Sequence, residues 1–252
     1  MTKKEKIYLR AGSIMADIKS QLIAAIKPGL SSMDIENLTV NLIKKNNCRV
    51  SFSTVDGYDF ATCININSGL VHGIPSKEVI FRPGDVVTID TGLVYHHHHV
   101  DNAFTIQIPP QDQPTTDFIH TGQQAVKAAI KQARPGRSIY DISLALQQTI
   151  ESAGYSVSRE LTGHGIGKKL HQPPNIPCYA NPALKEIKIV PDQTLAIEIM
   201  YAQGNPRIKL ADDGWTYETI DGSLSGMWEE TVYIGQDRTV PVTAIDPDYY
   251  LS

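Results

Sequence analysis

One eight-residue pattern occurs twice in this chain. Pro28-Gly29-Leu30-Ser31-Ser32-Met33-Asp34-Ile35 and Pro135-Gly136-Arg137-Ser138-Ile139-Tyr140-Asp141-Ile142 both read PGxSxxDI, 107 residues apart. Each copy ends one helical run and opens another. A second echo has nearly the same offset of 108: Pro83 is followed seven residues later by Asp90, and Pro191 seven residues later by Glu198. A looser one, His72-Gly73-Ile74 against His164-Gly165-Ile166, is offset by 92. A helix, a capped helix, a strand and an acid therefore recur in order. The pattern predicts two related halves, roughly 1–110 and 111–252, packed about a pseudo-two-fold axis with a shared site at their junction.

Local signals place the elements. Ile7, Ile14, Ile18, Leu22 and Ile26 have helical spacing, and Lys27-Pro28-Gly29 ends that run. Ser31 or Ser32 caps a second helix through about Asn46, with Asp34 in its first turn. Further helices are expected from about Asp117 to Gln132 and from Ser138 to Ala153, with strands at Thr62 to Ile66, Tyr155 to Leu161, Thr194 to Tyr201 and Met227 to Ile234. The turn-rich stretch Gly204 to Gly226 reads as a hairpin and loop beside the site.

Composition removes several function classes. With 252 residues, 41% hydrophobic and 20% charged, the chain has the makeup of a globular domain with a large core. A net charge of −4 gives no electrostatic footprint for nucleic acid, and Lys3, Lys4 and Lys6 around Glu5 do not form a basic arm. Neither a membrane-spanning run nor a signal-peptide core is present, so the simplest expected location is the cytoplasm. Cys48, Cys63 and Cys178 are widely spaced and suit buried free thiols.

Val86 to Phe104 reads as two strands joined by a tight connection, with Asp90 on the first and Asp101 on the second. A hairpin centred between Tyr95 and His96 sets the two acids directly opposite, with Cβ atoms about 5 Å apart. Carboxylates so placed repel unless a cation or a shared proton separates them. A lone strand-end aspartate ordinarily caps a turn. Here, however, Glu198 and Glu229 also interrupt apolar strands, and a carboxylate inside such a run must be paired or metal-bound. Four carboxylates carry −4 and two divalent cations +4, so a two-metal site balances the cluster and can ready a water for hydrolysis.

Gly163-His164-Gly165-Ile166-Gly167-Lys168-Lys169-Leu170-His171, together with the Ile89-Asp90 strand, Asp101 eleven residues on, Glu198 and Glu229, resembles the methionine aminopeptidase family in its short type I form. The resemblance runs from about Lys6 to Ile234 and implies the pita-bread α/β fold: two pseudo-symmetric halves of antiparallel strands covered by helices, in a single catalytic domain. It implies that Asp90, Asp101, His164, Glu198 and Glu229 hold two divalent ions (Co, Mn, Fe or Zn), with Asp101 and Glu229 bridging and Glu198 exchanging protons with the nucleophilic water. His72 would lie near the substrate amide and His171 would steady the scissile carbonyl oxygen. The methionine pocket would map near Phe52, Tyr58, Leu170 and Trp215. The implied substrates are nascent polypeptide N-termini, met at or near the ribosome, and the implied state is a monomer with no membrane or nucleic-acid partner.

The chain departs from the family pattern in places. Leu170 stands where Phe is common, Gln172 where Glu is, Ile199 where Pro is, and Glu230 where His follows the last acid. Prolidase and aminopeptidase P share the catalytic fold but carry a sizeable extra N-terminal domain, whereas 71 residues precede His72. A non-catalytic peptide- or ribosome-binding relative would be expected to lose ligands, and all five are present. The tract His96 to His99 reads as a solvated hairpin tip, because consecutive imidazoles on a strand alternate faces and cannot converge on one ion.

Overall fold

Both copies of the repeated motif cap a helix in the same way. In the computed structural model, which describes residues 1–251, Asp34 Oδ2 accepts from Ser31 N and Asp141 Oδ2 from Ser138 N, each at 2.8 Å. The acids thereby occupy exposed donors at the positive ends of helices Ser32–Lys45 and Ile139–Ser152. Gly29 and Gly136, with φ of 89° and 86°, make the preceding turns. Gly29 N donates to Phe81 O and Gly136 N to Ile189 O, while isolated bridges join Ser31 to Ile80 and Ser138 to Lys188. These equivalences keep the offsets of 107 and 108, so the two halves are related in three dimensions.

Along the chain the helices are α1 Lys3–Ala25, α2 Ser32–Lys45, α3 Gln113–Gln132, α4 Ile139–Ser152 and α5 Pro247–Leu251. The first-half strands are β1 Arg49–Val50, β2 Thr62–Ile66, β3 Gly69–Val71, β4 Val86–Tyr95 and β5 His98–Gln107. The second half supplies β6 Ser156–Val157, β7 Thr162–Gly165, β8 Gln172–Pro177, β9 Thr194–Ala202, β10 Ile208–Leu210, β11 Tyr217–Thr219, β12 Ser225–Ile234 and β13 Thr239–Pro241. Helix α3 starts earlier than its apolar periodicity indicates, because Asp112 Oδ1 accepts from Thr115 N at 2.9 Å and Pro114 fits the first turn. Of Tyr155 to Leu161, only Ser156–Val157 pairs as a strand.

The large sheet runs β1-β4-β5-β12-β9-β7-β8, with β2 on β4, β6 on β9 and β13 on β12. All strand pairings among the described residues are antiparallel, and β10-β11-β3 form a separate small sheet. Tyr8, Ala11, Met15, Ile18 and Leu22 form the buried stripe of α1. That stripe and the apolar sides of α3 and α4 belong to the core beneath the sheet. The opposite face of the central strands is left for polar groups.

The halves join at β5 and β12, which pair as Glu229↔Ala103 and Glu230↔Asn102. Asn67 N donates to Val86 O and Ile166 N to Thr194 O, so β7 is the counterpart of β2. His72, at the end of β3, is therefore not the structural partner of His164, and the histidine echo is not part of the duplication.

The β4–β5 register differs from the expected one. Tyr95 pairs with His98, leaving His96 and His97 as a two-residue turn with φ of 45° and 62°. Asp101 consequently faces Gly92 and Asp90 faces Ala103. The acids share a face as diagonal neighbours, since a hairpin needs residues for its turn that the assumed centre did not provide.

Candidate metal centre

Four strands lay one row of side chains across the sheet: Asp90 on β4, Ala103 on β5, Glu229 on β12 and Glu198 on β9. Ala103 leaves room in the row, and Asp101, two residues along β5, fills the space beside it. His164 pairs with Ala196 and points at the same cluster, its Nε2 3.7 Å from Glu198 Oε1. Ligand atoms of Asp101, His164 and Glu229 all lie within 4.8 Å of one another. The structure thus brings the five expected residues together, all of them buried.

Two glycines make this possible. A Cβ on Gly92 would come within 2.8 Å of Ser51 Cβ and 3.1 Å of Asp101 Oδ1. One on Gly163 would meet Ala196 O at 2.7 Å and Glu198 Cγ at 3.1 Å. Side chains at either position would displace an acid.

Charge in this row is uncompensated by protein. Burial, then the neighbouring Asp101 and Glu198, pushes the Asp90 carboxyl well above its ordinary range. Burial pushes Asp101 up to about 7. Glu198 and Glu229 rise for the same reason, followed by repulsion from Asp101. Asp90 Oδ1 and Glu229 Oε1 are buried without a hydrogen-bond partner. Buried polar atoms are otherwise almost always satisfied. His164 is held down to about 4, by burial first and then by His171, so its ring is neutral and can offer a lone pair. Clustered oxygen donors with unpartnered atoms and one neutral imidazole fit divalent cations.

The row opens into a cavity of about 370 Å³. One wall carries the acids; the other is a separate apolar cluster containing Phe52, Tyr58, Cys63, Ile166 and Leu170, with Trp215 packed against it. The Tyr58 ring stands edge-on to Trp215 at 5.1 Å and to Phe52 at 6.3 Å, and its hydroxyl donates to Thr62 O at 2.7 Å. Phe52, Tyr58, Leu170 and Trp215 all line the recess.

At the mouth stand His72 and His171. His171 packs edge-on to His164 at 4.5 Å between ring centroids. His72 has φ of 61° and stands edge-on to Tyr217 at 5.9 Å. Solvent reaches both rings, yet crowding by neighbouring protein lowers both pKa values, and His171 adds to the effect on His72. Each is a neutral imidazole at pH 7, with one N–H to donate.

Sequence reasoning missed three features. Cys63 pairs directly with Asp90 and lines the recess; alternation along Thr62 to Ile66 was the available signal. Met200 and Met227 line it as well. His99 is buried, not part of a solvated tip: its Nδ1 lies 2.7 Å from Ser51 Oγ and its backbone N–H donates to Gly167 O at 2.8 Å. Of the four, only His96 and His97 are exposed at that hairpin end.

Residues 6–236 match the model of metallopeptidase family M24. The methionine aminopeptidase of Clostridium acetobutylicum is 35% identical over 90% of this chain and 91% of its own length, and methionine aminopeptidase 1 of Bacillus subtilis is 33% identical over 90% and 91%. The solved methionine aminopeptidase of Thermotoga maritima superposes with a TM-score of 0.92 at 34% identity, covering 97% of this chain and 98% of that one. A prolidase from Pyrococcus horikoshii shares the fold at 21% identity and a TM-score of 0.75. Family match, identity along nearly the full length and a shared architecture agree with the acid row, and the chain belongs to the methionine aminopeptidases of metallopeptidase family M24.

Proposed function

We propose that this protein hydrolyses the peptide bond after an N-terminal methionine, acting on nascent polypeptides with two divalent ions held by Asp90, Asp101, His164, Glu198 and Glu229. The observation that carries the reading is the four-acid row with unpartnered Asp90 Oδ1 and Glu229 Oε1, set against an apolar recess in the same cavity. Two divalent ions balance four carboxylates, and Mn, Fe, Co or Zn suits this donor set. When bound, such ions supply a nucleophile near neutral pH and polarise the scissile carbonyl.

The protein's own groups account for the rest. With bound cations favouring its ionised form, Glu198 would take a proton from the attacking water and pass it to the leaving amine. His171, neutral and next to His164, donates to the carbonyl oxygen as negative charge grows there. His72, which lines the same cavity, donates to hold the substrate amide. Phe52, Tyr58, Leu170 and Trp215 enclose the methionine side chain, and apolar contact there fixes which bond reaches the acids.

A metal-by-peptide matrix tests this. Chelator-treated protein is reloaded with Mn, Fe, Co or Zn and offered Met-Ala and Xaa-Pro peptides. Cleavage of Met-Ala peptides only after metal addition is the expected result. Preference for Xaa-Pro would assign the prolidase reaction instead, and no hydrolysis with any metal would leave a peptide-binding protein. Elemental analysis of two ions per chain tests the stoichiometry, and sedimentation tests the monomer.

A further inference from the structure

Glu230 follows Glu229 on β12 and faces the other side of the sheet, among the helices. It is 1% exposed, and Lys19 of α1, 3% exposed, donates from Nζ to its Oε1 at 2.9 Å. The Phe104 and Trp228 rings flank the ammonium, with centroids 5.9 and 5.7 Å away. Glu230 Oε2 accepts from Asn102 Nδ2 at 2.9 Å and from Thr243 Oγ1 at 2.5 Å. The same Asn102 Nδ2 donates to Glu229 O at 2.7 Å. Asn102 itself follows Asp101. The network therefore ends on the backbone positions that carry the two innermost acids, and neither Lys19 nor Glu230 lines the substrate cavity.

A buried ion pair is a weak source of stability, because desolvating both charges offsets their attraction. Its geometric effect is firmer. β5 and β12 pair directly only at Ala103–Glu229 and Asn102–Glu230, and this short seam joins the halves. The amide of Asn102 crosses it, and Lys19 and Thr243 fix the carboxylate to which that amide is tied. A shift of one residue would turn Asp101 or Glu229 to the wrong face.

We propose that Lys19, Glu230 and Asn102 are positioning residues: from the helix side of the sheet they hold β5 and β12 in the relative placement that brings Asp101 and Glu229 together for divalent cations. The inference rests on the metal reading above. It assigns to the ion pair an effect on cation affinity that exceeds its effect on folding.

The test uses chelator-treated full-length protein and three variants. Lys19→Met/Glu230→Gln removes both charges at similar volume, Asn102→Ala removes only the tether, and Lys19→Arg keeps the pair. Calorimetric titration with Mn²⁺, thermal unfolding without metal, and kcat and KM on a Met-Ala peptide are measured for each. The Mn²⁺ Kd is expected to weaken about tenfold in the double variant and in Asn102→Ala, the usual scale for groups that orient ligands. Lowered kcat with little change in KM should accompany it, while the metal-free unfolding midpoint stays near the parent's in the double variant, falls in Asn102→Ala by no more than the loss of two buried hydrogen bonds requires, and Lys19→Arg keeps the parent's Kd. Asn102→Ala decides the matter if the double variant does not fold. Affinities within twofold of the parent in the folded variants overturn the proposal, as does a loss of affinity that tracks the unfolding midpoint. A parent chain that takes up no Mn²⁺ overturns the metal reading and this inference with it, whereas a parent that binds while its variants bind equally well overturns this inference alone.

Discussion

Thr231 Oγ1 grips both backbone polar groups of Asp101, accepting from its N–H and donating to its C=O, each at 2.8 Å. Thr105 does the same across the pseudo-two-fold axis for Met227, at 3.0 and 2.7 Å. A threonine of each half thus replaces a rung of the sheet where the halves meet. The duplicated positions differ in content: one grip holds a carboxylate, the other a thioether.

Substitution separates folding from metal binding at this seam. Thr231→Val and Thr105→Val each strand a buried N–H and C=O, and each should cost about 2 kcal/mol of stability. Chemical denaturation of metal-free protein measures that. Only Thr231→Val should also weaken Mn²⁺ binding, since only it frees Asp101. Equal metal affinity in the two variants would contradict the assignment of Asp101.

Stability without metal should depend on pH with a defined sign. His164 and His99 are held down to about 4 in the folded chain. Unfolding lets them bind protons up to about pH 6.5, so they contribute stability as pH rises through that range. Asp101, raised to about 7, acts oppositely: it holds a proton when folded and releases it on unfolding, so stability falls as pH rises through 7, and the other three acids, also raised, act in the same direction. Above about pH 6.5 only the acids remain, and the unfolding midpoint in chelator should drop between pH 6.5 and 8. Added Mn²⁺ should stabilise the fold most at pH 8, by about 2.7 kcal/mol per site where free Mn²⁺ is a hundredfold above Kd. A midpoint that climbs steadily to pH 8 in chelator would contradict this charge balance.

Removal of a ligand should be severe and specific. His164→Ala and Asp101→Asn are expected to lower kcat/KM on Met-Ala peptides by more than about 100-fold, beyond the effect of losing a group that only orients a ligand. Circular dichroism should show folded chains. Undiminished turnover in either variant would remove it from the metal shell.

The apolar recess should set side-chain selectivity. Leu170 is 5% exposed and lines the cavity. Leu170→Ala should reduce kcat/KM for an N-terminal methionine by about 10-fold, the value of one or two lost methylene contacts, and should relax discrimination toward bulkier residues. Parallel assays on Met-, Leu- and Phe-initiated peptides measure the ratio. An unchanged ratio would place the methionine side chain elsewhere.

The chain's local grammar was readable from its residues. Pro-Gly stops, serine caps and apolar stripes depend on neighbours a few positions apart, which is why the paired helices and the duplication could be inferred before any contact was seen. The acids also announced themselves, since a carboxylate in an apolar strand needs a partner wherever that strand lies. Where helix α3 begins was less legible, because its first turn is polar and is specified by the Asp112 cap.

Pairing between distant segments belonged to the tertiary structure. Whether Asp90 faces Asp101 or Ala103 depends on how many residues the His96–His97 turn consumes, and whether His99 meets water depends on Ser51 and Gly167 arriving beside it. The pairing of Lys19 with Glu230, 211 positions apart in the chain, exists only because α1 lies behind β12. Sequence by itself supplied the acids within apolar strands, their approximate faces and the twofold plan. Only the folded chain chose the register and the cross-strand neighbours, because those rest on how many residues a turn consumes and on contacts between residues 48 to 211 positions apart, whose energies no local pattern encodes.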